Sequence, residues 1–179
     1  MAIKNSNLQR WLTGIALGVV LLLIILLGSL ELFAAAIILI IIIGIWEYNS
    51  IVFGPGHLKE KTEGLILAVL IPVAVLFGNA QWVIALLSFA VMAVFMVFLW
   101  NISEKSFDVS LVTRVLFGML YIPLLTSHFI MLRKLDSGIY WILLVLVIGI
   151  IGDTVALYVG KIFGKRKLIA LVSPGKTVE

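Results

Sequence analysis

Near the end of this 179-residue chain one carboxylate stands in an apolar run, Gly152-Asp153-Thr154-Val155-Ala156-Leu157, and cations follow it at once. Lys161, Lys165, Arg166, Lys167 and Lys176 are five of the thirteen basic residues, gathered in sixteen positions. A charge in hydrocarbon costs about 3 kcal/mol or more, so an acidic side chain inside a membrane span marks a site. Clustered Lys and Arg beside a membrane attract anionic headgroups and nucleotide phosphates alike. The pair of features points to chemistry on phosphates: Asp153 to hold a cation or face a lipid phosphate, the lysines to neutralise charge. Each half also has a plainer reading. Gly152 could break the helix and leave Asp153 to cap the next segment, and basic residues commonly follow a last span as a topological anchor.

The cationic stretch runs into Ser173-Pro174-Gly175-Lys176-Thr177-Val178-Glu179, punctuated like a shaped loop. Ala170 to Thr177 mimics a nucleotide-binding P-loop with Ala in place of the first Gly. A true P-loop needs a buried strand before it and a helix after it to receive the phosphates. A basic juxtamembrane tail is not that setting, so the expectation is phosphate contact by Ser173 or Lys176 without a P-loop. His128 has no His, Asp or Glu at the spacing that a metal pair on one helix needs, and His57 stands in a loop with only the single carboxylate of Glu60 three residues on. They read as interfacial or satisfied histidines, and Glu47, between Trp46 and Tyr48, as an interfacial carboxylate.

The elements that must position these residues are membrane helices. With 63% hydrophobic and 12% charged residues and a mean hydropathy of +1.26, the chain departs far from soluble domains, where about a quarter of residues are charged. The expected fold class is all-α: a polytopic transmembrane bundle of about six spans, at about 11–27, 30–46, 64–77, 81–100, 111–132 and 139–160, followed by a basic cytoplasmic tail at 161–179. The third span contains Pro72 and the fifth Gly118, Pro123 and His128. In the sixth, Gly152, Ala156, Gly160 and Gly164 recur every fourth residue, a stripe of small side chains that permits close backbone approach.

With the N-terminus inside, Lys4, Arg10, Lys59, Lys61, Lys105, Arg114, Lys161, Lys165, Arg166, Lys167 and Lys176 lie on the inner side, and only Arg133 and Lys134 on the outer. That asymmetry predicts both ends in the cytoplasm, in the plasma (inner) membrane. The net charge of +4 is explained by these loops, so nucleic acid is not an expected partner. The absence of Cys excludes disulfides, thiolate metal sites and a Cys nucleophile. Lys4 and Arg10 ahead of an apolar run look like a signal peptide, but without a small-residue cleavage site the run reads as a retained first span.

The stretch Asp153-Thr154-Val155-Ala156, then Gly160-Lys161-Ile162-Phe163-Gly164-Lys165-Arg166-Lys167-Leu168, then Ser173 to Glu179 resembles the phosphatidate cytidylyltransferase (CDP-diacylglycerol synthase) family in order and spacing. Arg10 to Gly14 and Glu47-Tyr48 are weaker echoes. Leu157 stands where the family has an aromatic, and Ala170 where Pro is common. The family's later signature, with Lys-Asp and Asp-Arg-x-Asp, is absent from the chain.

The resemblance implies CTP and phosphatidate as substrates and CDP-diacylglycerol as product, in phospholipid biosynthesis. It implies Mg²⁺ as cofactor, membrane lipids as surroundings and a homodimer as assembly. Substrate-binding candidates are then Asp153, Lys161, Lys165, Lys167, Ser173, Lys176 and Thr177, with Asp153 and Glu179 as candidate metal ligands. The main catalytic residues are expected beyond Glu179, and the 179-residue chain alone is expected to be inactive. A CTP-dependent enzyme of isoprenoid lipids is the alternative of the same chemistry. A transporter subunit or membrane scaffold, with Asp153 as coupling site, is the alternative of another class.

Overall fold

A computed structural model describes residues 2–100, 109–169 and 173–178. The chain divides into two compact units, Met1–Asp136 and Ser137–Glu179. Each is built by its own sequence logic.

The elements of the first unit's described residues are all helices. They are α1 (Ala2–Leu27), α2 (Leu30–Phe53), α3 (Leu58–Phe77), α4 (Ala80–Trp100), α5 (Val109–Met119), a π-helical turn (Leu120–Leu124) and α6 (Leu125–Lys134). The α1–α2 loop is only Gly28-Ser29, while α5, the π-helical turn and α6 follow one another without a break as one span. Ser29 caps α2 by accepting from the Leu32 N–H at 3.3 Å. Asn79 does the same for α4, its Oδ1 taking the N–H groups of Gln81 and Trp82.

On α2 the buried residues Phe33, Ile37, Ile41, Ile45, Asn49 and Phe53 recur every fourth position, the row of side chains that packs into a neighbour's groove. The core continues through Leu67 and Ile71 of α3, Ala90 and Val94 of α4, and Val112, Val115 and Met119 of α5. Close approach depends on two glycines. A Cβ on Gly118 would sit 2.6 Å from the Tyr48 ring, and one on Gly44 3.2 Å from Ile122. Pro123 lies in the π-helical turn, where the wider winding accommodates the missing N–H.

Helix α1 is exposed along most of its length and becomes buried only near its end, at Ile25. There the Arg133 guanidinium donates to the carbonyls of Ile25 at 2.6 Å and Gly28 at 2.8 Å and lies over the Phe33 ring. Lys134 Nζ donates to Val75 and Gly78 carbonyls at 2.7 and 3.3 Å. The two cations of α6 therefore satisfy orphan carbonyls at the ends of α1 and α3.

The second unit holds α7 (Gly138–Phe163) and a hairpin of β1 (Lys167–Ile169) and β2 (Ser173–Thr177). The strands are antiparallel, pairing Lys167 with Thr177 and Ile169 with Ser173 with an irregularity between. Below Ile142 nearly the whole of α7 is exposed and apolar, as a lipid-facing helix should be.

The all-α expectation describes the spans, and the hairpin is an addition to it. Among the described residues four helices are long and apolar enough to cross a membrane, Leu30–Phe53, Gln81–Trp100, Ser110–Lys134 and Gly138–Phe163, while Trp11–Leu27 is apolar but shorter. The stretch expected as a third span, 64–77, lies in α3, whose first two turns carry Lys59, Glu60, Lys61 and Glu63. Helices also overrun the interfaces that the aromatic pairs suggest: α2 continues past Trp46-Glu47-Tyr48 to Phe53, because the turn waits for Gly54 at φ 60°.

Candidate functional site

Asp153 lies in the interior of α7, which runs unbroken through Gly152. The capping reading of Asp153 is thereby overturned: an N-cap has extended backbone and a helix beginning after it, and neither is present. Its side chain is exposed, on a helix otherwise made for lipid. A carboxylate in that position requires water, a cation or a polar ligand beside it.

Ten residues on, α7 ends at Phe163, with Lys161 in its last turn, where a cation complements the helix dipole. The Gly164 N–H closes the helix on the Gly160 carbonyl at 3.1 Å. Lys165 and Arg166 occupy the turn, Lys167 opens β1, and Lys176 lies in β2 beside Thr177.

The hairpin is held back against the helix by Thr177. A Cβ on Gly164 would meet Thr177 Cγ2 at 2.6 Å and Oγ1 at 2.7 Å, and one on Gly160 would meet Oγ1 at 3.1 Å. Two glycines of the small-residue stripe therefore form the seat of the strand, while Gly149 and Gly152 have open space around them. The Val178 N–H to Arg166 carbonyl bond, 3.0 Å, closes the base of the hairpin.

Because β2 returns to the helix end, Lys176 joins Lys161, Lys165 and Lys167 at one end of the unit, although it is nine or more residues from each in sequence. Ser173 is half-buried at the far end of β2. Thr177 Oγ1 is buried without a hydrogen-bond partner. Ser173 to Thr177 is a strand, so the P-loop form is excluded; Ala170 and Glu179 lie outside the described residues.

Asp153 is nearly three turns from this end of α7, about 15 Å from Phe163 along the helix axis. The unit therefore brings the lysines and Thr177 together but leaves Asp153 deeper along the same helix. Among the described residues no three His, Cys, Asp or Glu side chains gather as a metal site. Asp153 alone suits a Mg²⁺ held chiefly by substrate phosphates, the usual habit of that ion, and does not make a resident metal cage.

The family model for the cytidylyltransferase family matches residues 8–179. The chain belongs to that family. It is 31% identical over 180 residues to the phosphatidate cytidylyltransferase of Bacillus subtilis (strain 168), an alignment covering 96% of this chain and 64% of that protein. The chain thus spans a little under two thirds of the relative's length. No solved structure matches it.

Within this member of the cytidylyltransferase family, sequence reasoning missed a polar cluster in the first unit. Tyr48 Oη donates to the Arg114 carbonyl at 2.7 Å, Arg114 Nη1 donates to the Val52 carbonyl at 3.3 Å, and Asn49 Nδ2 donates to the Lys61 carbonyl at 3.2 Å. Lys61 Nζ donates to the Gly54 carbonyl. Arg114 and Lys61 were legible only as inner-side charges; here they tie α5 and α3 to the end of α2. His57 pairs with Glu60 at 3.8 Å and His128 Nδ1 lies 2.8 Å from the Leu124 carbonyl.

Proposed function

We propose that the chain serves a CTP-dependent phosphatidate cytidylyltransferase, making CDP-diacylglycerol for phospholipid synthesis at the cytoplasmic face of the plasma membrane. The observation that carries this reading is the seating of β2 on Gly160 and Gly164, which collects four lysines at one end of a lipid-crossing helix, in a chain of the cytidylyltransferase family. In the reaction a phosphate oxygen of phosphatidate attacks the α-phosphorus of CTP. The bond from that phosphorus to its bridging oxygen breaks, and pyrophosphate leaves with the electron pair.

Such chemistry asks the protein for position and charge neutralisation. Lys161, Lys165, Lys167 and Lys176 bind the triphosphate and balance the charge gathering on the departing pyrophosphate. Thr177 seats the strand on the helix, and Ser173 offers its hydroxyl to phosphate oxygens. Asp153, deeper in the helix, would hold a Mg²⁺ shared with substrate phosphates, which would supply further charge neutralisation there. Six spans with both ends cytoplasmic, and a homodimer, complete the proposed arrangement.

The test is CTP binding in detergent, with and without Mg²⁺. Lys176→Ala weakens CTP binding about tenfold, the loss of one charge-assisted contact. Asp153→Asn removes the Mg²⁺-dependent part of the binding. Unchanged binding in both variants would overturn the assignment of these residues. An isoprenoid phosphate replacing phosphatidate as acceptor would redirect the substrate.

A further inference from the structure

Helices α3 and α4 of the first unit flank an open groove of about 570 Å³ that the proposed reaction does not use. Its α3 wall changes character along its length: Lys59, Thr62 and Glu63 at the start, then Ile66 and Leu70. Its α4 wall, Phe89, Ala93 and Val97, is wholly apolar. From Lys59 to Leu70 is about 16 Å of helix, half of the roughly 30 Å hydrocarbon core of a bilayer. A groove of one leaflet's depth, polar at one end and apolar along the rest, has the form of a single acyl chain with its headgroup.

The polar end narrows the headgroup. Glu63 lines the groove half-buried; its Oε1 is sealed from solvent without a hydrogen-bond partner, so neutralising the carboxylate falls to its other oxygen and what fills the groove. Glu60 adds a second negative charge near it. A lipid whose headgroup is only anionic would set like charges together in a low-dielectric site. Lys59, one turn before Glu63 on the same face, supplies the opposite sign. A headgroup that carries a phosphate and, one two-carbon arm away, a primary ammonium matches this order of charges.

We propose that the α3–α4 groove binds a phosphatidylethanolamine-type phospholipid, one acyl chain against Ile66, Leu70, Phe89 and Ala93, its phosphate toward Lys59 and its ammonium on the Glu63 carboxylate. The ammonium has three N–H donors where a choline headgroup has none. The selection therefore acts on hydrogen bonding as well as charge.

The test uses the full 179-residue chain reconstituted in vesicles of equal parts phosphatidylethanolamine, phosphatidylcholine and phosphatidylglycerol, with retained lipid measured by native mass spectrometry. Wild type retains the ethanolamine lipid about tenfold over the choline lipid, the scale of one charge-assisted hydrogen bond. Glu63→Gln, which keeps the shape and removes the charge, abolishes that preference, and Ala93→Trp, which fills the groove, loses retention altogether. Equal retention of ethanolamine and choline lipids, a preference for phosphatidylglycerol, or an unchanged preference in Glu63→Gln would each overturn the proposal. None of these readouts depends on CTP or turnover, so they stand or fall apart from the enzymatic reading.

Discussion

Gly164 and Glu63 show how much rests on single atoms. A methyl group on Gly164 meets Thr177 at 2.6 Å and its own helix's Gly160 carbonyl at 2.1 Å, so backbone must move. Gly164→Ala is expected to lift β2 from α7, expose Lys176 to trypsin and weaken CTP binding, at an overpacking cost of about 1 to 3 kcal/mol. Gly160→Ala meets Thr177 only at 3.1 Å and gains about 1 kcal/mol of helix propensity. The two effects offset, and near-normal protease resistance is expected.

At Glu63, burial first and Glu60 second push the carboxyl above the ordinary carboxylate range. The unfolded chain therefore gives up this proton at lower pH than the folded one. Stability is unaffected below the unfolded value, falls as pH rises through the window up to the folded value, and stays lowered above it. Lys59, Glu60 and Lys61 are the charges near it on α3, and α4 contributes none. Wild type and Glu63→Gln should melt alike near about pH 4 and diverge toward neutrality, Gln the higher, in thermal unfolding in detergent. The site's charges were legible because Asp153 and the lysines interrupt apolar sequence. Glu63 was not, since Lys-Glu-Lys-Thr-Glu reads as a solvated loop until α3 is seen to begin at Leu58 and turn that carboxyl inward.

Among elements, α1 depends on another helix for its anchorage. It is buried only near Ile25, and Arg133 holds its last carbonyls by two charge-assisted bonds. Arg133→Ala should cost about 2 to 4 kcal/mol, read as loss of stability in denaturant titration. Arg133→Lys should recover only part, since one ammonium cannot reproduce the fork. The helices themselves could be read from apolar runs and from Gly28, Gly54 and Gly78. The hairpin could not: strands of three and five residues are decided by Thr177 meeting glycines thirteen and seventeen positions away, a contact no local pattern carries.

For the molecule as a whole, charge asymmetry predicts orientation. Arg133 and Lys134, the two exceptions to it, are engaged on the carbonyls of α1 and α3, so structural demand explains why they stand where topology disfavours them. The chain has no Cys, which makes single-cysteine labelling clean. In intact cells a membrane-impermeant maleimide should label Ser137→Cys and spare His57→Cys until the membrane is opened; the reverse pattern would invert the proposed topology.

The π-helical turn at Leu120–Leu124 carries a consequence for descent. A wide turn holds one residue more than an α-helical one, and each residue of helix advances the azimuth by about 100°. The wide turn takes up its additional residue within one revolution, so a cousin one residue shorter here and wound as plain α-helix would keep its following ten residues on the same face, with Arg133 still at the α1 terminus. Loss of one residue in this segment should therefore be inherited with Arg133 and Lys134 retained, whereas a deletion within α6 ahead of them should travel with changes at both positions, as a linked set.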